Sequence, residues 1–309
     1  MNHILTVLQI VAPIFTAAGL GVLARRRQML TPEEIRGLQQ FAVKFGLPCV
    51  VFNACLTAKI GSETLVTMVL AIIPLLIATL WTFRFGRKWL GYDILPMFFS
   101  CRETGMLGIP LTITLFGAAE SYRMGVLDLA QAFVVFPVIA ILTSNTGKNP
   151  TVGQVLKGVL LSPLMIMSVL GLGLNLSGAA AWMDRAGIGP ILTEATGFLS
   201  QPVSALMLFS VGYNFSLDKN SRRDIFRIAG IILGWFALFV LISQWVLSRI
   251  PGVDDITRWV MLLYFLLPTS YLSPGLSRTQ KDATLSAGLC SLLTVFTLIL
   301  CCVISAFVA

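Results

Sequence analysis

Arg102 and Glu103 are adjacent, and they sit in the middle of an apolar run. The stretch reads Cys101-Arg-Glu-Thr-Gly-Met-Leu-Gly-Ile-Pro-Leu111, with Ile94-Leu-Pro-Met-Phe-Phe-Ser100 before it and Thr112-Ile-Thr-Leu-Phe116 after it. An ionised side chain deep in an apolar environment costs roughly 2.5 kcal/mol or more on insertion scales, so it faces a cavity or finds a partner. Two chemistries fit. As a site, Arg102 offers a planar fork of donors to a carboxylate, and Glu103 titrates. As structure, each pairs with a different helix, because neighbours along a helix do not face one another. Gly105 and Gly108 make unwinding cheap, and Pro110 removes an N–H. Freed backbone groups beside Thr104 can meet a ligand, and a half-helix starting near Pro110 aims its positive end at the break, which suits an anion. A simple kink is the alternative.

A second stretch has the same character. Leu267-Pro-Thr-Ser-Tyr-Leu-Ser-Pro-Gly-Leu276 holds two prolines, Pro268 and Pro274, and four hydroxyl residues, Thr269, Ser270, Tyr271 and Ser273. Such density reads as a cavity wall, although Ser and Thr also bond their own helix backbone. Asn53, Asp128, Gln131, Gln201, Tyr213 and Asn214 are further polar candidates. Asp128 is the expected partner of Arg102 across the bundle, and with Glu103 the expected coupling group. Lys44 is expected to snorkel to a membrane surface. Glu194 is expected at an interface.

The elements that must position these residues follow from composition. Of 309 residues, 56% are apolar and 12% charged, against about 25% charged in a soluble domain. This is an all-α polytopic membrane protein. The net charge of +8 lies mostly in short gaps between apolar runs. It reads as topology signals facing anionic lipid, with no nucleic-acid partner. The six cysteines all fall in apolar runs and His3 is the lone histidine, so neither a metal site nor a disulfide framework is expected. No phosphate-binding glycine loop, nucleotide fingerprint or nucleophile elbow is present, so no cofactor and no enzymatic activity are expected.

Ten apolar runs can be counted, at about 4–24, 37–57, 64–83, 93–116, 124–143, 155–176, 190–212, 226–248, 256–276 and 283–308. Arg25, Arg26 and Arg27 follow the first run, which reads as a retained helix rather than a cleaved leader. Thr31 and Pro32 read as the cap and first residue of the next helix. Fifteen basic residues fall in or beside the odd-numbered gaps and five in or beside the even-numbered ones. The odd gaps are then cytoplasmic and both termini lie outside the cell membrane. Prolines recur in order: Pro13 with Pro163, Pro48 with Pro202, Pro110 with Pro268. With an odd number of spans per half, this reads as an inverted repeat: residues 1–144, a cytoplasmic linker at 145–154, and residues 155–309. Broken spans 4 and 9 would cross at its centre.

Three stretches carry a resemblance to the auxin efflux carrier family. They are Phe45-Gly-Leu-Pro-Cys-Val-Val-Phe-Asn-Ala-Cys-Leu56, Gly105-Met-Leu-Gly-Ile-Pro-Leu-Thr-Ile-Thr-Leu-Phe-Gly117 and Leu266-Leu-Pro-Thr-Ser-Tyr-Leu-Ser-Pro-Gly-Leu-Ser277. The final span after Lys281-Asp-Ala-Thr-Leu-Ser286 is also similar. The resemblance implies a scaffold of spans 1, 2, 6 and 7, and a mobile domain of spans 3–5 and 8–10 moving as an elevator. It implies a small organic acid as substrate. In plant members an asparagine seven residues before the crossover proline contacts the substrate carboxylate; here that position is Glu103. A glutamate repels an anion unless it is protonated or paired, which favours proton coupling or a substrate with a cationic group. The expected partners are a small-molecule substrate and membrane lipid, with a second copy in a homodimer as a further candidate. A sodium-coupled symporter of the bile-acid-carrier plan is the alternative. A membrane receptor that binds ligand without moving it is another.

Overall fold

The computed structural model describes residues 2–58, 61–143, 161–215, 222–277 and 279–308. Every named element is helical, and the one β-type pairing recorded is an isolated antiparallel bridge between Arg102 and Thr269. The expected linker at 145–154 lies outside the described residues.

Among the described residues, five helices are long and apolar enough to cross a membrane: Glu63–Leu90, Ala118–Ile139, Ile188–Asn214, Arg222–Leu247 and Gln280–Phe307. Pro163–Leu176 and Ala179–Arg185, bent by 77°, make a sixth if taken as one broken span. The count of ten therefore stands as a reading of hydropathy. A window of about 19 residues averages over breaks, and the chain is broken where the windows run smooth. The run at 37–57 is continuous helix carrying a π-turn at Ala42–Gly46. The runs at 93–116 and 256–276 each divide into short pieces.

Local chemistry explains the ends. Thr31 caps Pro32–Phe41 in a full capping box, accepting from the Glu34 amide while Glu34 accepts from the Thr31 amide, as its sequence predicts. The helix pairs are set by glycine. Asn2–Arg26 packs on Val203–Asn214, and Leu47–Leu56 packs on Pro163–Leu176. A Cβ on Gly212 would fall 1.9 Å from the Ala18 carbonyl oxygen, and one on Gly21 2.0 Å from that of Phe209. On the second pair, a Cβ on Gly171 would lie 2.8 Å from the Phe52 carbonyl oxygen. Only glycine lets these backbones approach so closely.

The remaining helices pack in matching pairs. Ser62–Trp81 lies on Ser121–Thr143, and Arg222–Leu247 lies on Gln280–Val308. One apolar core joins them, with Phe99, Phe236 and Phe265 stacked at centroid spacings of 6.4 and 6.0 Å. Outside the core, Leu65, Leu80 and Leu241 are exposed on these helices, and Ile191 and Phe198 are exposed on Ile188–Ser200. So broad an apolar exterior is a lipid-facing surface rather than a water-facing one.

Candidate functional site

Two broken arms meet at the centre of the molecule. The first arm runs from Leu95–Ser100 through an extended segment at 101–103 and a π-turn at Thr104–Gly108 into Ile109–Phe116. The second runs from Asp255–Leu266 through an extended segment into the short helix Ser273–Leu276. The extended segments cross, joined by the Arg102–Thr269 bridge and by the Glu103 amide donating to the Pro268 carbonyl at 2.9 Å.

The breaks have different causes. In the second arm Pro268 holds Leu267 extended, at φ −62 and ψ 152, as a residue before proline must be. In the first arm no proline lies at the break. Instead Gln131, from the facing helix, takes the Arg102 amide at 2.8 Å and gives to the Arg102 carbonyl at 3.0 Å. A side-chain amide thereby does what a neighbouring strand would do. Pro110 lies further on, in the first turn of the restarted helix, where its missing N–H accompanies the widened turn at 104–108. Pro110 and Pro268 are thus not like-for-like: one restarts a helix and the other forms the crossing strand.

Arg102 is 1% exposed. Its guanidinium donates to the Phe98 carbonyl and, at 3.3 Å, to the Leu267 carbonyl. Its Cζ lies over the Phe236 ring, 4.2 Å from the centroid. Among the described residues no carboxylate forms an ion pair with it. The expected partner, Asp128, instead accepts from the Thr104 hydroxyl and from Gln131, the latter at 2.9 Å. The correction has a simple reason. Phe98 and Leu267 lie at the carboxyl ends of two half-helices, where carbonyls lack intrahelical donors, and the guanidinium reaches those first.

Glu103 is 7% exposed. One oxygen accepts from the Met106 amide at 3.1 Å, and the other from the Tyr271 amide at 2.6 Å. It therefore caps the restarting turn of its own arm and holds the opposite arm as well. The adjacent charges serve opposite needs: Arg102 meets carbonyl ends and Glu103 meets amide ends.

The second arm's hydroxyls bond within the arm and to its neighbours. Thr269 donates to the Met97 carbonyl at 3.5 Å, Ser273 donates to the Ser270 carbonyl at 2.6 Å, and the Ser270 hydroxyl accepts from the Leu272 amide at 3.2 Å. The Tyr271 hydroxyl and Thr294 share a bond at 2.6 Å. Thr297 donates to the Leu266 carbonyl at 2.7 Å. Gly108 packs tightly, since a Cβ there would lie 2.8 Å from Leu267, whereas Gly105 has ordinary room. Asn53 is elsewhere: it accepts from Thr196 at 2.6 Å and ties two outer helices together.

Beside the crossing lies a cavity of about 660 Å³. Arg36, Gln39, Gln40 and Lys44 line one side of it; Met106, Tyr271, Ser291 and Thr294 line the other. Arg36 and Lys44 are both exposed there. Lys44 was expected to reach only toward a membrane surface, and Arg36 to serve as a topology charge. Their spacing of eight residues along one helical face was the available signal. Of the sequence-predicted candidates in the two arms, Tyr271 lines this cavity, and the further polar candidate Asn214 lines it too; Arg102 and Glu103 do not.

A helical membrane protein with an apolar exterior, two broken arms crossing in its core and a polar cavity beside them has the build of a membrane transporter. Residues 6–152 match the membrane transport protein family, which includes the auxin efflux carrier permeases. That match takes in the whole first arm, and the second arm lies beyond it. No curated protein matches the chain.

Proposed function

We propose that this protein is a secondary carrier of a small organic anion, a carboxylate, working by alternating access across the cell membrane with both termini outside. The observation that carries the reading is the cavity beside the crossing. Arg36 and Lys44 supply two positive charges on one wall, and hydroxyls of Tyr271, Ser291 and Thr294 line the other. That combination suits an acid with one or two carboxylates.

The packing supports a ten-span inverted repeat. Exchanging the first five runs with the last five turns the contact of runs 1 and 7 into that of runs 6 and 2. The same exchange turns runs 3 and 5 into runs 8 and 10. On this reading the two glycine-packed pairs are the scaffold, and the cavity lies between scaffold run 2 and the crossing arms. Sliding of the arms past Arg36 and Lys44 would carry an anion across, an elevator motion. Glu103 and Asp128, carboxylates with no cation paired to them among the described residues, are the candidates for proton coupling.

The test is uptake by sealed proteoliposomes over a panel of mono- and dicarboxylates, amino acids and amines. Arg36→Gln and Lys44→Gln are each expected to weaken apparent affinity for an accepted acid about tenfold, as lost charge-assisted contacts worth roughly 1.5 kcal/mol would. Wild-type transport of cations alone, or unchanged affinity in both variants, would overturn the proposal.

A further inference from the structure

Arg102 is among the largest fully buried side chains of the described residues, and it makes no ion pair among them. What balances it is backbone. Leu95–Ser100 and Asp255–Leu266 end beside each other, and their terminal carbonyls carry partial negative charge, up to about half a unit per helix end. The guanidinium donates to one carbonyl of each end, Phe98 and Leu267, while Phe236 covers its face with the negative side of an aromatic ring. Two converging carboxyl ends amount to a cation site. In carriers built from broken helices, such ends and unwound carbonyls commonly hold an alkali-metal ion. Here the position is filled from within the chain.

We propose that Arg102 is a tethered cation standing where a bound sodium ion would otherwise hold the two arms together, so the crossing neither needs nor admits an alkali-metal ion. The guanidinium Nε has no hydrogen-bond partner, but it is buried, and the side chain does not line the neighbouring cavity, so an anion held there does not touch Arg102. Its role is positioning: it fixes the two half-helices against each other. This separates an internally locked crossing from an ion-gated one, and it rules out sodium coupling through this point.

The experiment measures thermal unfolding of the purified protein in detergent, at constant ionic strength, in sodium, lithium, potassium or choline chloride. A further condition adds millimolar guanidinium. Wild type is expected to melt at the same temperature in all four salts. Arg102→Ala is expected to melt several degrees lower in choline and to regain about 2–4 °C with sodium or guanidinium, as ligand binding to the emptied site would give. Arg102→Lys, which keeps a charge but not the fork, should fall between them. A sodium-specific rise in wild type overturns the proposal, and that arm holds even where Arg102→Ala does not fold. Folded Arg102→Ala that answers to no cation overturns it equally. Melting requires no transport, so failure here leaves the carboxylate-carrier reading to its own uptake test.

Discussion

The two arms reach the same geometry by different chemistry. The second arm is broken by covalent structure: Pro268 cannot donate and holds Leu267 extended. Its loose ends are then tied by several small hydroxyls, its own and that of Thr297 on the neighbouring helix. The first arm has no proline at the break. It is held open by three long side chains that reach across the molecule: Gln131, Arg102 and Glu103. The two arms are therefore vulnerable at different points. A proline break survives the loss of any one neighbour. A break maintained by side-chain bonds weakens with each one lost, because extended backbone inside an apolar core then leaves polar groups unpaired.

The largest effect should therefore come from Gln131. Gln131→Leu strands the Arg102 N–H and weakens the bonding of its C=O, each a buried group that costs about 1–3 kcal/mol when unsatisfied. A loss of roughly 2–5 kcal/mol is expected. Thr297→Val, on the helix packed against the second arm, removes the one side-chain bond to the arm's Leu266 carbonyl, the hydroxyl being shared with the Leu293 carbonyl of its own helix, and about 1 kcal/mol is expected. Denaturant unfolding of both variants in detergent measures the gap. Equal losses would show that the first arm does not depend on its amide clamp.

How much of this was legible in the sequence divides along the same line. Pro268 declares a break because its effect is local and covalent, and Thr31-Pro-Glu-Glu34 declares a helix start for the same reason. The polar content of both arms was equally plain. What Arg102 would bind was not. One of its acceptors, the Leu267 carbonyl, lies 165 residues away, and a backbone carbonyl carries no letter. Asp128 looked like the partner because charges advertise themselves while helix ends do not. Lys44 and Arg36 read as surface charges because hydropathy cannot tell a membrane surface from a cavity mouth.

A smaller effect should come from Glu103, the residue that staples the arms together. Glu103→Gln keeps one oxygen and turns an N–H₂ toward an amide that needs an acceptor. Either the Met106 or the Tyr271 bond is lost, at a cost of about 1–3 kcal/mol. Hydrogen exchange at these two amides tells which arm yields. Faster exchange at Tyr271 alone means that the first arm keeps its own cap and releases its partner. Protection unchanged at both would remove the staple from the comparison. If Glu103 also carries the coupled proton, the same variant flattens the pH profile of uptake, and a profile identical to wild type removes it from that role.

The smallest effect sharpens the contrast at the arms' outer ends. The first arm starts at Ile94, which makes no side-chain cap. The second starts at Asp254, which accepts from the Thr257 amide at 2.8 Å and from Arg123 at 2.6 Å. Burial alone would raise the Asp254 carboxyl, but the bonds from Thr257 and Arg123 outweigh it and hold its pKa below the usual carboxylate range. A group lowered on folding stabilises the folded state above its unfolded pKa, near 3.9 for aspartate. That contribution fades as pH falls through the lower, folded value. Acid should therefore loosen the second arm's entry before the first's. The side chain is 47% exposed, so solvent screening keeps the effect below about 1 kcal/mol. Melting of wild type and Asp254→Asn from pH 6 down to pH 3 reads it: the variant should be the less stable at pH 6, and the gap should close toward pH 3. A gap that stays constant with pH would mean that the cap works through shape rather than charge, and that the arms differ at their centre alone.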